Sequence, residues 1–230
     1  MKRDRLQHSR FERQIKVAKK TDKVSEYCRS IAVAGHSGDF ATVAEGLASN
    51  EPRARVVALG AAARLQRLEP AQIADFLADP SPDVRYRALQ VLPSVLRAEK
   101  AVDNVIAALD DPHLSEIAAF TLGELPIDGE QIPRVSAALE RQATTHEDAL
   151  CRESAVAALG SLGVGLRSIL HACDDVATVR RRAILALAPF DGPEVDRALG
   201  AALNDRDWQV RQAAEDLLGV AESQPAEDTE

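Results

Sequence analysis

The sequence predicts an all-α protein made of stacked helical hairpins, and three observations carry that prediction. A nine-residue pattern, most complete in VRRRAILAL (179–187), recurs six times at spacings near 30 residues. Within each copy the apolar positions fall at helical spacing, and no segment with the two-residue period of a strand interrupts the series. Hydrophobic residues make up 46% of the chain but aromatics only 3%. The core must therefore be built from Ala, Leu and Val, whose small side chains let helix backbones come close.

Taken in order, Ser9 and Glu12 form a capping box that opens a helix over about residues 10–20. Phe11, Ile15 and Ala18 share one face of it, while Arg10, Arg13, Lys16, Lys19 and Lys20 occupy much of the rest. This basic amphipathic segment has two readings: a cap over the first repeat, or an arm that meets an acidic partner, a membrane surface or nucleic acid. A second helix is expected over about residues 24–34, with Tyr27, Ile31 and Ala34 on its apolar face. The run Gly35-His36-Ser37-Gly38 is expected to end it, and Asp39 to cap the helix beginning at Phe40. The same run lacks G-x-S-x-G spacing and a preceding strand, so it is not a nucleophile elbow.

From Phe40 onward two helical patterns alternate with short turns. Aligning Ala54, Val84, Leu114, Cys151, Val179 and Val210 gives separations of 30, 30, 37, 28 and 31 residues. Four residues after each anchor stands Ala58, Ala88, Ala118, Ala155, Ala183 or Ala214; eight after stands Ala62, Leu92, Leu122, Leu159, Leu187 or Leu218. Offsets 0, 4 and 8 lie on one helix face, so every copy presents the same stripe, with alanine where backbones approach. One hairpin cannot bury such a stripe alone, but a stack of them can. Offset 5 is apolar in five copies and becomes Glu215 in the last, which marks a solvent-facing end. The longest separation predicts an insertion near Glu140 to Asp148 that projects as a loop.

The pattern V-R-x-x-A-x-x-A-L after an Asp/Pro-rich turn, as in DPSPDVRYRALQVL (79–92) and NDRDWQVRQAAEDLL (204–218), resembles bacterial HEAT repeats of the short, phycobilisome-lyase-like type. The resemblance covers about residues 40–220. It implies a right-handed α-solenoid, or superhelix, of about six helical hairpins, with the second helix of each pair lining the concave side. It also implies a ladder in which an Arg after the anchor (Arg55, Arg85, Arg152, Arg180, Arg211) bonds turn carboxylates and carbonyls, with Asp79, Asp174 and Asp205 six residues before three of these arginines. Ser115 breaks the series in the third copy.

Offsets 2, 3 and 6 are left to face the groove. They give Tyr86, Arg87 and Gln90; Glu116, Ile117 and Phe120; Glu153 and Ser154; Arg181 and Arg182; Gln212 and Asp216. Of these, Tyr86, Arg87, Gln90, Glu116, Phe120, Glu153, Arg181, Arg182 and Gln212 are the candidate binding residues, because aromatic anchors inside a polar rim suit a protein or peptide partner.

Signals for chemistry are weak. His146-Glu147 is a single His-Glu pair where HEAT-like deoxyhypusine hydroxylases use several, and His146 fills a turn position. His113 with Glu116 has no matching second pair, and His171 sits on an apolar helix as a packed histidine. Trp208 alone does not make the aromatic cleft of HEAT-like alkylpurine DNA glycosylases and is expected to pack. No catalytic residue, metal ligand or cofactor is assigned. Cys28, Cys151 and Cys173 are odd in number and lack metal-ligand spacing, which suits a reducing cytoplasm; Cys151 and Cys173 fall on apolar positions.

Charge divides the chain: residues 1–23 carry nine Lys/Arg against three Asp/Glu, residues 24–220 a net −10, and 221–230 four acids and no base. An acidic body excludes wrapping of nucleic acid, which leaves only residues 1–23 for such contact. No run approaches the roughly 18 apolar residues of a membrane span, and the first 25 residues lack an apolar signal region. The expected organisation is a basic arm (1–23), a solenoid (24–220) and a disordered acidic tail (221–230). The expected function is a cytoplasmic, non-catalytic scaffold or adaptor for a protein or peptide. The alternatives are a HEAT-type enzyme or assembly factor, lyase-like or metal-dependent, or nucleic-acid binding through the arm. If Arg180 is scaffold and Arg182 is not, Arg180→Ala should lower the calorimetric melting temperature more than Arg182→Ala; equal or reversed shifts would break the assignment.

Overall fold

The structure, a computed structural model, describes residues 22–95 and 101–223. Among them are thirteen α-helices, one short 3-10 helix and no strand. Helix α1 (22–37) precedes six hairpins: α2 (Phe40–Leu47) with α3 (Pro52–Arg64), α4 (Pro70–Leu77) with α5 (Pro82–Val91), α6 (Val102–Ala108) with α7 (Ser115–Glu124), α8 (Ile132–Thr145) with α9 (Ala149–Leu162), α10 (Leu166–Ala172) with α11 (Ala177–Ala186), and α12 (Pro193–Ala202) with α13 (Trp208–Ser223). The chain divides into two compact units, Met1–Arg97 and Ala98–Glu230. In the first, α3 packs on α5; in the second, α7 packs on α9, α9 on α11 and α11 on α13, so within each unit the second helices pack side by side. The amphipathic segment expected over residues 10–20 lies outside the described residues, as do residues 224–230.

The repeat register is the core register. All six anchors and all six alanines at offset 4 are buried, the alanines completely. At offset 8 the first five residues are buried and Leu218 is half-buried. Offset 5 is buried through Ile184 and exposed at Glu215, so the last copy ends the apolar stack as the sequence predicts. Proline occupies the first turn of α3, α4, α5, α8 and α12, where its fixed φ suits the helix and its missing N–H removes no bond.

Two local expectations are corrected. Helix α1 does not end at Gly35 but continues to Ser37, and Gly38 (φ +85°) makes the turn. Gly35 is a packing glycine instead: a Cβ there would stand 2.6 Å from Cβ of Ala61 on α3. Asp39 does cap α2, accepting from the Thr42 N–H and hydroxyl. No loop projects near residues 140–148: the extra residues of this repeat lie in the 14-residue α8 and the segment before it, and α8 is joined to α9 by the short turn 146–148. Ala138, Leu139, Gln142 and Ala143 are buried, which holds the added length of α8 against the fold.

The arginine ladder is present, with a different wiring. The guanidiniums of Arg55, Arg152 and Arg180 grip the turn carboxylate of the following repeat with Nε and Nη2, and these three, Arg85 and Arg211 each bond a carbonyl of their own turn with Nη1. Thus Arg55 pairs with Asp79, Arg152 with Asp175 and Arg180 with Asp205, all at 2.7–2.9 Å. The carbonyls of Ser49, Asp79, His146, Asp175 and Asp205 accept from Arg55, Arg85, Arg152, Arg180 and Arg211. The rung in the fifth copy is Asp175 and not Asp174, which is exposed, because one residue fewer separates the ladder carboxylate from the start of α11. Ser115 interrupts the series as predicted. The buried Gln142 of α8 bonds the Ser115 and Cys151 carbonyls there, while its Oε1 and the Ser115 hydroxyl have no well-formed hydrogen bond among the described residues.

The ladder aspartates titrate low. The Arg152 and Arg180 hydrogen bonds lower Asp175 and Asp205 against the opposing effect of burial. For Asp79 burial is the largest influence and acts upward, but Arg55, the Ser81 N–H and Arg85 together outweigh it. The Arg180–Asp205 side chains are only 7% and 16% exposed, against 47% and 71% for Arg134–Asp103. The former therefore resembles a buried pair, costing about 3 kcal/mol when one partner is removed, and the latter a surface pair worth at most about 1 kcal/mol.

Because these carboxylates have folded-state pKa values below the ordinary 3.8, their stabilisation is complete well above that value and is lost as pH falls through the folded values. Urea-unfolding free energy should therefore decline from about pH 4 downward, and less so in Arg152→Ala. Helix contact gives a second expectation. A Cβ on Gly160 would lie 2.7 Å from the Ala186 Cα, so Gly160→Ala should cost about 1 kcal/mol net of its helix-propensity gain. Gly200→Ala, with nothing within 4 Å, should stabilise in the same urea titration.

Candidate functional site

In the second unit the layer of second helices carries a cleft of about 440 Å³. Helix α7 supplies Glu116, Phe120 and Glu124 to its lining, α9 supplies Leu150, Glu153 and Ser154, and α11 supplies Arg182. Its floor is made of small residues, Gly123, Ala157 and Ala158. The floor is low because α7 and α9 nearly touch: a Cβ on Gly123 would stand 2.9 Å from the Ala158 Cα, and the Ser161 hydroxyl donates to the Gly123 carbonyl at 2.8 Å.

Phe120 is 51% exposed and Leu150 49%. At the offset of Phe120 the other copies hold Gly60, Gln90, Ala157, Leu185 and Asp216, and at that of Leu150 they hold Arg53, Asp83, His113, Thr178 and Gln209. Neither position needs a large apolar residue for the stack to form, since most copies do without one. Three glutamates and one arginine line the cleft. Arg182 contacts Glu153 at 3.3 Å, whereas Glu116 and Glu124 form no ion pair among the described residues.

Four of the nine predicted binding residues meet here: Glu116, Phe120, Glu153 and Arg182. The others do not line this cleft. Tyr86, Arg87 and Gln90 belong to the first unit, where Tyr86 is 36% exposed and the Arg87 guanidinium lies against Gly60 and donates to Gln90. Arg181 is exposed outside the cleft lining, and Gln212 is exposed and bonded to Asp216 one turn on. Ile117, expected in the groove, is only 8% exposed, because its side chain is turned into the fold. Leu150, Glu124 and the small floor were missed. Comparing the copies position by position would have found Leu150, because it is the one apolar residue at an otherwise polar offset.

The remaining residues of interest are structural or isolated. His146 offers its carbonyl to Arg152 and its Nδ1 to the Asp148 N–H, which is a turn role. His171 is exposed and not packed, and Trp208 is 65% exposed at the first residue of α13, so the packing expected of each is corrected: both project from helix ends toward solvent. Burial raises the Cys173 thiol to about 11, and it also raises Cys151 against the nearby Ser115 hydroxyl. Both thiols therefore stay protonated near neutrality and unreactive. Among the described residues no three His, Cys, Asp or Glu side chains are grouped to hold a metal, and no helix is long and apolar enough to cross a membrane.

The family model of HEAT repeats matches residues 70–160. No curated protein matches the sequence. Among solved structures, Escherichia coli YibA is similar with a TM-score of 0.55 at 20% identity, over 70% of this chain and 62% of its own, so the chain spans under two thirds of that protein's resolved length. An engineered protein is similar with a TM-score of 0.56 at 18% identity, over 80% of this chain and 97% of that one. A designed armadillo repeat protein is similar with a TM-score of 0.53 at 16% identity, over 77% and 97%. These identities speak for the fold alone. The chain therefore matches the HEAT-repeat model over residues 70–160 and shares the fold of helical repeat proteins.

Proposed function

We propose that this protein is a non-catalytic scaffold or adaptor that docks a segment of a partner protein in the α7–α9–α11 cleft. The observation that carries this reading is the pairing of two half-exposed apolar side chains, Phe120 and Leu150, over a floor of glycine and alanine, inside a rim of charged groups. Such anchors contribute most of the energy in protein interfaces when a partner excludes water from around them, while the rim supplies orientation. The protonated, unreactive thiols of Cys151 and Cys173 suit a reducing cytoplasm as the working compartment.

A scaffold of this kind should lose its partner without losing its fold. Phe120→Ser/Leu150→Ser should leave the melting temperature nearly unchanged, since both side chains are half-exposed, while weakening partner binding about thirtyfold, as expected when a central anchor worth roughly 2 kcal/mol is removed. Affinity capture with quantitative mass spectrometry, followed by titration of the captured protein, measures this. Trp208→Ser, an equally drastic change at an exposed aromatic outside the cleft, should retain the same partner. Retention by the double variant would sink the assignment.

A further inference from the structure

The chemistry of the cleft narrows the partner. Glu116, Phe120 and Glu124 stand at i, i+4 and i+8 on α7, so they form one stripe in which an aromatic ring lies between two carboxylates. At 1.5 Å per residue the two carboxylates are attached about 12 Å apart along the helix. Neither has a cationic partner among the described residues, and the only arginine in the lining is already engaged with Glu153, between α11 and α9. The lining therefore carries more negative than positive charge, and the surrounding body, net −10 over residues 24–220, adds a field of the same sign.

We infer that the cleft takes an extended, cationic segment of a partner protein in which a large apolar side chain is flanked two residues away on each side by Lys or Arg. This rests on the docking reading above and names its chemistry. In an extended strand residues i, i+2 and i+4 point the same way and span about 13 Å, which matches the spacing of the two carboxylates with the apolar group over Phe120. A helix would need its cationic groups about eight residues apart to span the same distance, so the spacing of the basic residues in a bound peptide separates the two conformations. The cationic groups meet Glu116 and Glu124, and the apolar group displaces water from Phe120 and Leu150.

The test pans a random 12-residue display library against the full-length chain and measures the enriched peptides by fluorescence polarisation. The expected result is enrichment of Lys or Arg four residues apart with a large apolar residue midway. Binding of those peptides should fall about tenfold in Glu116→Gln/Glu124→Gln and stay unchanged in Glu130→Gln/Glu194→Gln, which removes the same charge outside the cleft. Enriched apolar peptides without Lys or Arg that are lost in Phe120→Ser would overturn the cationic assignment and leave the docking reading standing. Enrichment that ignores Phe120→Ser, or none at all, would overturn both. Self-association of the full chain by sedimentation, abolished by Phe120→Ser, would assign the cleft to a second copy and overturn the inference as well.

Discussion

The Arg180 guanidinium shows what the rest of the stack depends on. It is 6% exposed, and it satisfies itself by gripping the Asp205 carboxylate with two donors and the Asp175 carbonyl with a third. A charge at that depth is tolerated only when it is paired and hydrogen-bonded, because desolvation otherwise exceeds the Coulombic gain. The consequence is geometric. The turn of one repeat must sit where the helix of the previous repeat can reach it, so register along the stack is set by hydrogen bonding as well as by apolar contact. Asp205 in turn accepts from the Asp207 N–H and offers its carbonyl to Arg211. Each rung thus stiffens the turn that holds the next.

Close approach of the second helices is the complementary constraint. Alanine at offset 4 and glycine at 123 and 160 let α7, α9 and α11 come together until backbone meets backbone. Close packing has the usual result that volume changes of a single methyl are felt. It also removes side chains from the middle of the layer, and that absence is the cleft. Where most copies hold small or polar residues, Phe120 and Leu150 stand over this floor with little to bury them. The binding face and the packing rule are two results of one choice of residue size.

The interruption at Ser115 shows how the fold accommodates a missing rung. Gln142, from an α8 longer than the first helices of other repeats, reaches the Ser115 and Cys151 carbonyls with its amide and replaces a charged fork by neutral bonds. A neutral donor makes weaker bonds than an ionised one but carries a smaller desolvation penalty. The same repeat carries Glu116, Phe120 and Glu124 on its outer face. Departure from the consensus inside and a distinctive surface outside therefore occur together in α7.

Much of the architecture was legible in the sequence because it repeats. Offsets 0, 4, 5 and 8 report burial directly, since a helix shows the same face every three to four residues and six copies average out exceptions. The ladder arginines were legible for the same reason, although their carboxylates come from the next repeat, and in one turn from Asp175 in place of Asp174. The groove residues were half legible: Glu116, Phe120, Glu153 and Arg182 meet, while Ile117 turns inward. An offset names a helix face but not what stands opposite it. Only the tertiary structure decided that, because helix length, turn length and the approach of α7, α9 and α11 are set by packing between segments tens of residues apart. The sequence by itself determined the repeat, its core and its end at Glu215. Which of the exposed side chains share one cleft was decided by how closely glycine and alanine let neighbouring helices pack.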